Sequence, residues 1–174
     1  GDEYLAASIQ LALITPGPIL ECGSGLSTVL VGAVAQSRGL RHWVLEDHPD
    51  WVARVQQCLN DYHLHDVKIC GNPLKDYGDF CWYDPPLKGM PAHFSLVICD
   101  GPPLVTTKGG RYGLAPVMQD RLSADCTILL DDASREHERA LASRWEGELG
   151  VSVERSGPPK PFFEMKRMGN AQHR

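Results

Sequence analysis

Residues 19–28 read Ile-Leu-Glu-Cys-Gly-Ser-Gly-Leu-Ser-Thr. An apolar pair, Ile19 and Leu20, leads into an acid, Glu21, and then into two glycines one residue apart, Gly23 and Gly25. An apolar segment of helical character, residues 26–35, follows at once. This order predicts a buried parallel strand that turns sharply into a helix whose N-terminus faces a nucleotide-like ligand. Glycine allows the tight turn and leaves room where a Cβ would collide with the ligand. A dinucleotide site would set pyrophosphate against that helix and carry a third glycine for close helix–strand packing. Here the third position is Thr28, and a carboxylate at Glu21 would repel pyrophosphate and attract a cation.

On either side of the turn, apolar runs alternate with helical patterns. Residues 4–14 read as a helix stopped by Thr15-Pro16-Gly17-Pro18. Residues 42–45 form a second strand ending at Glu46, 50–62 an amphipathic helix, and 67–70 a third short strand. A strongly apolar fourth strand, 94–99, ends at Asp100, and residues 111–122 read as a helix that Pro116 shortens or kinks. Residues 127–130 are a fifth strand ending in Asp131-Asp132, and 135–149 a helix. Two strand-like runs, 151–155 and 162–167, close the chain with only a Gly/Pro-rich loop between them, so the last strand must run antiparallel. The pattern predicts an α/β fold: a doubly wound, mostly parallel seven-stranded sheet with an antiparallel last strand, in a single domain spanning 1–174. The longest irregular stretch, residues 71–93, is rich in Gly, Pro and aromatic residues and is read as a functional or mobile loop.

Composition narrows the class. The 174 residues suffice to bury a core, and the 43% hydrophobic and 22% charged fractions are those of a soluble globular protein. A net charge of −5 argues against nucleic acid as the main partner. A local basic cluster of Arg155, Lys160, Lys166, Arg167 and Arg174 reads more simply as a solvated edge and tail. The six cysteines show no C-x-x-C pair, and Cys22, Cys70, Cys99 and Cys126 lie in or beside apolar runs, as buried free thiols do in a reducing cytosol. No stretch is long enough to span a membrane and no leader pattern opens the chain, so the expected location is cytoplasmic.

The chemistry-bearing residues fall at strand ends. Glu46, ending the second strand, is placed to accept both hydroxyls of a ribose; the plainer alternative is a helix N-terminal acid, a role that Asp47 and Asp50 could serve equally well. Asp100, followed by Gly101-Pro102-Pro103, should project into the same crevice, held by the two prolines. Asp131 and Asp132 end the next strand on the same side. Three carboxylates converging there would repel one another unless cationic charge intervenes, and a hard divalent ion such as Mg²⁺ would supply it. The plainer alternative is that Asp132 or Ser134 caps the following helix.

Glu21-x-Gly-x-Gly resembles motif I of class I S-adenosylmethionine-dependent methyltransferases, whose cofactor carries an ammonium and a sulfonium. The strand–helix order and the antiparallel close are similar to that family's sheet. The resemblance implies that Glu21, Gly23, Ser24, Gly25 and Ser27 hold S-adenosylmethionine, that Glu46 takes its ribose, and that Asn72 or Leu74 meets its adenine. It implies that Asp100 faces the transferable methyl group and is the catalytic residue, acting as a base or through a metal. Asp100 with Asp131 and Asp132 looks like the metal-holding set of catechol and macrocin-type O-methyltransferases, which implies Mg²⁺ and a hydroxyl acceptor on a small molecule. There is no Asn-Pro-Pro-Tyr or Asp-Pro-Pro-Tyr motif of the kind that nucleobase amino-methylating enzymes carry.

For the acceptor, Arg111 is a candidate to bind an anionic group, Tyr112 to line the pocket, and Trp82 to wall it. Two of them have a plainer reading, Arg111 as the partner of a surface acid and Trp82 as an anchor that tucks its loop onto the core. Residues 106–113 read as a lid hinged at Gly109 and Gly110. Cover for the substrate must come from the N-terminal helix, from residues 71–93 or 106–113, or from a second subunit in a homodimer. Two other classes stay open: an NAD-dependent oxidoreductase, which Thr28 and Glu21 disfavour, and a non-catalytic cofactor-binding or partner subunit.

Overall fold

A computed structural model describes residues 1–168; Arg174, named above with the basic cluster, lies outside them. Seven strands form one sheet: β1 (Ile19–Cys22), β2 (His42–Glu46), β3 (Val67–Gly71), β4 (Phe94–Cys99), β5 (Leu122–Leu130), β6 (Val151–Ser156) and β7 (Phe162–Arg167). Their spatial order is β3-β2-β1-β4-β5-β7-β6. The first five are parallel, while β7 runs antiparallel to both β5 and β6. Helices α1 (Asp2–Ile14), α2 (Leu26–Ser37), α3 (Pro49–Asp61), α4 (Leu114–Met118) and α5 (Glu136–Leu149) cover it.

Strand alternation explains why both faces are filled. In β1 and β4, Leu20, Cys22, Val97 and Cys99 point to the face covered by Leu141, Trp145 and Leu149 of α5. Ile19, Leu96 and Ile98 point to the other face, against Tyr4 and Ala12 of α1 and Val31 and Ala35 of α2. Three of the six cysteines, Cys22, Cys99 and Cys126, are buried; Cys70 is only half-buried.

Two segments differ from expectation. Residues 111–122 do not make one helix: a 3₁₀ turn at Gly110–Gly113, the short α4 and a second 3₁₀ turn at Gln119–Arg121 stand there instead. Gly109 and Gly110 have positive φ (83° and 52°), and a Cβ on Gly113 would collide with the Trp82 indole, so backbone and packing both favour a broken path. β5 begins at Leu122 rather than 127, because exposed Asp125 and its polar neighbours continue the strand beyond its apolar run. The long stretch after β3 is folded down, with a small hairpin (Lys75–Asp76 with Cys81–Trp82) and Phe80, Trp82, Tyr83 and Met90 buried in the core.

Candidate functional site

A cleft of about 430 Å³ opens where β1, β2, β4 and β5 end, at the point where the sheet order reverses. Gly23 to Ser27, Glu46, Asp47, Tyr83, Asp100, Gly101, Pro103 and Asp131 line it, and Tyr4 and Leu5 of α1 close its side. Its size is that of a small-molecule site.

The turn after β1 is built around its two glycines for different reasons. Gly23 has φ of 86°, and a Cβ there would press on the Gly101 backbone at 3.2 Å. A Cβ on Gly101 would in turn meet Gly23 Cα at 3.1 Å and collide with the Tyr83 hydroxyl. The glycine between Asp100 and the prolines is therefore what lets the two loops touch. Gly25 is different. Its φ of 173° is open to any residue, and apart from its chain neighbours no atom of the described residues lies within 4 Å of where its Cβ would stand. Neither backbone nor packing calls for glycine here; the space it leaves is at the cleft. Thr28 accepts the Gly25 N–H at 3.0 Å through its hydroxyl, a use that a third glycine could not serve.

Glu21 corrects the sequence reading. It shares strand parity with Ile19, not with Leu20, so its side chain turns beneath α2, where it is 1% exposed. The Ser27 hydroxyl donates to one carboxylate oxygen. His42 Nε2 lies 3.0 Å from the other, at an ion-pair distance without hydrogen-bond alignment. Ser27, not Glu21, reaches the cleft. Glu46 does line the cleft, but Oε2 accepts the Ser24 amide (2.9 Å) and hydroxyl (2.8 Å), and Oε1 the amides of Asp47 and His48 (3.0 Å each). All four of its acceptor positions are filled by its own loops.

Asn72 does not reach the cleft: it is exposed, and its Nδ2 donates to the Asp84 carbonyl at 3.0 Å, strapping the long loop to itself. Leu74 packs against the core. Trp82 is fully buried and is the loop's anchor, not a substrate wall; its neighbour Tyr83 lines the cleft instead. Tyr112 faces a separate hollow of about 470 Å³ with Phe80, His137 and Arg144, away from the glycine turn. The expected lid is pinned, with Thr107 buried, Cys81 N–H on the Lys108 carbonyl (2.8 Å) and Lys108 Nζ on the Gly78 carbonyl (2.6 Å).

Asp100, Asp131 and Asp132 do converge, each offering an oxygen within 4.8 Å of the others. The cation on Asp100 and Asp132 is Arg111, 2% exposed, while the Asp131 carboxylate stands 3.8 Å from the Gly1 ammonium. Arg111 Nη2 donates to Asp100 Oδ1 (2.8 Å), the Asp100 carbonyl (2.9 Å) and Asp132 Oδ2 (2.9 Å). Its Nη1 donates to the Asp131 carbonyl and to Glu138 Oε1, both at 3.1 Å. Arg111 thus braces the cleft wall from behind and is not among the residues that line the cleft. Burial works against its charge, but Cys99, Asp132 and Asp100 hold the guanidinium protonated more firmly than usual. A divalent ion on Asp100 Oδ1 and Asp132 Oδ2 would have to displace the guanidinium's hydrogen bonds from both oxygens and stand beside its charge. The donor set therefore does not fit a divalent ion while Arg111 is in place. Asp132 caps no helix by its side chain: its φ is 63°, and Oδ2 also takes Arg135 at 2.9 Å.

Asp100 opens into the cleft, with 56% of its side chain exposed. Desolvation pushes its pKa up to about 6; Arg111 pulls it down, and Asp131 and Asp132 add to the rise. Tyr4 is the residue that sequence reasoning missed. Its ring is buried edge-on against Phe162 (5.7 Å), and its hydroxyl has no partner among the described residues. Burial, with Asp100, Cys99 and Asp131 nearby, holds that phenol well above 10.0, so it stays a neutral donor.

No family model matches the sequence, and neither does any curated protein. Solved structures do match in fold. A putative caffeoyl-CoA O-methyltransferase from Staphylococcus aureus superposes with a TM-score of 0.70 at 11% identity, over 94% of this chain and 82% of that one. An SAH-bound methyltransferase from Podospora anserina gives 0.68 at 17% identity, over 95% and 76%. An RNA methyltransferase from Salinibacter ruber, in complex with S-adenosyl-L-homocysteine, gives 0.61 at 14% identity, over 100% and 96%. The chain has the class I methyltransferase fold. Likeness at these identities carries the fold alone, and the acceptors named for the neighbours differ.

Proposed function

We propose that the cleft binds S-adenosylmethionine and that the chain transfers its methyl group to a hydroxyl oxygen of a small-molecule acceptor. The observation that carries this reading is Gly25, a glycine that neither its backbone nor its packing requires, at the mouth of a helix that faces the cleft. The bound cofactor would supply a methyl group made electrophilic by its sulfonium.

The chain's own groups fit that ligand. Ser27, its proton engaged by Glu21, keeps an oxygen that can accept from an ammonium. At Glu46 the Ser24 hydroxyl is the donor that can give way to a ribose hydroxyl, since the three amides are fixed by the backbone. The Tyr4 phenol offers a neutral donor from α1, which covers the cleft as the sequence suggested. Asp100 is the base of this reading: it is open to the cleft, and a carboxyl pushed to about 6 can take a hydroxyl proton near neutral pH. No step is assigned to a metal. Incubation with methyl-labelled S-adenosylmethionine and a panel of phenolic, sugar and amine acceptors tests the reading. Label on hydroxylated acceptors is expected, and label confined to amines would overturn the oxygen assignment.

A further inference from the structure

We propose that Arg111 is the resident cation of the acid cluster: its guanidinium, held by the Asp100 and Asp132 carboxylates and by the Asp131 backbone carbonyl, supplies the positive charge that a divalent ion would bring there, so the site works without a metal. The clause on catalysis rests on the methyl-transfer reading; the clause on occupancy does not. Converging carboxylates require positive charge between them, and this chain delivers it covalently. The delivery is built into the backbone. Gly109 and Gly110, both at positive φ, turn the loop after β4 inward and place the next residue behind the cleft wall. There the guanidinium joins three elements, taking Asp100 after β4, Asp132 after β5 and Glu138 on α5.

The hydrogen-bond pattern makes Arg111 more than a charge. It grips Asp100 twice, by the backbone carbonyl and by Oδ1, so the carboxylate's direction into the cleft is set from behind. Oδ1 is thereby occupied, and the other oxygen is the one left to face an acceptor. Arg111 touches nothing in the cleft itself and is a positioning residue. A metal bound to the same acids would be an exchangeable ligand. A guanidinium cannot leave, and chelation cannot remove it.

Mn²⁺ titration, followed by calorimetry and by the spin signal of free Mn²⁺, tests the proposal on the wild-type chain, on Arg111→Ala and on the double variant Arg111→Ala/Asp132→Asn. Wild type should bind Mn²⁺ at millimolar concentration or weaker and show no change in melting temperature. Arg111→Ala, freed of the cation, should gain one Mn²⁺ per chain in the micromolar range, with a raised melting temperature, and the double variant should lose it again. A merely structural arginine would not yield a metal site on removal. One Mn²⁺ per wild-type chain, abolished by Asp132→Asn, would overturn the proposal, as would a folded Arg111→Ala that gains no ion. Should Arg111→Ala fail to fold, the wild-type titration with and without Asp132→Asn decides alone. S-adenosylhomocysteine affinity, read on the same wild-type samples, reports separately on the methyl-transfer reading.

Discussion

Gly25→Ala separates a glycine kept for the fold from one kept for a ligand. Apart from its chain neighbours, the new methyl group would have no atom of the described residues within 4 Å, so it creates no clash in the free chain. At φ of 173° alanine is unstrained, and the loss of glycine's freedom in the unfolded chain stabilises by about 0.4–1 kcal/mol. Against this, Gly25 is the N-cap of α2, where alanine is worse than glycine by roughly 0.5–1 kcal/mol. The two nearly cancel, and denaturant unfolding should place the variant within about 1 kcal/mol of wild type. Binding should respond differently. A methyl group forced into a fitted contact costs about 1–3 kcal/mol, which is roughly 5- to 150-fold in the dissociation constant of S-adenosylhomocysteine measured by calorimetry. Unchanged affinity alongside unchanged stability would refute the reasoning, because the open space at Gly25 would then serve no ligand.

Tyr4→Phe should leave stability equal or slightly higher, since it deletes a buried hydroxyl with no partner, yet weaken S-adenosylhomocysteine about 2- to 10-fold; a binding constant that does not move assigns the hydroxyl no ligand. Trp82→Ala should cost about 3–5 kcal/mol of unfolding free energy, and a near-neutral change would contradict its role as the loop's anchor. The rate constant kcat/KM should fall about tenfold per pH unit below about 6, as Asp100 is protonated, and this inflection should vanish in Asp100→Asn. The same raised pKa has a sign for folding: Asp100's contribution to stability is full below its ordinary 3.8 and is lost as pH rises through about 6. Asn72→Ala should leave S-adenosylhomocysteine affinity unchanged, and a large loss would restore Asn72 to the site.

The centre of the sheet was legible because β1, β2 and β4 are buried on both faces and announce themselves as apolar runs, ended by Gly23, Glu46 and Asp100. The broken 110–121 segment was less so: helical periodicity was present, but the positive φ of Gly109 and Gly110 and the pressure of Trp82 on Gly113 arise only in three dimensions. At the site, residues fixed by strand ends (Gly23, Gly25, Glu46, Asp100, Asp131) came to the cleft as expected. Glu21 did not, although its parity with Ile19 in β1 was a usable signal. Asn72 and Trp82 lie on a loop whose path no local rule dictates. Arg111 has acids as partners, as its plainer reading had it, but they are not surface ones, and nothing in its neighbourhood in sequence reveals that they stand at two other strand ends and on α5. Tyr4 carried no signal at all, since an aromatic residue in the first turn of an apolar helix reads as packing.

Calorimetric titration of the wild-type chain with S-adenosylhomocysteine, alongside NAD, tests the central claim most directly. One site per chain for S-adenosylhomocysteine, with no heat from NAD, is the result expected of a cleft built around Gly25 and Glu46. Saturable binding of NAD with none of S-adenosylhomocysteine would contradict the account.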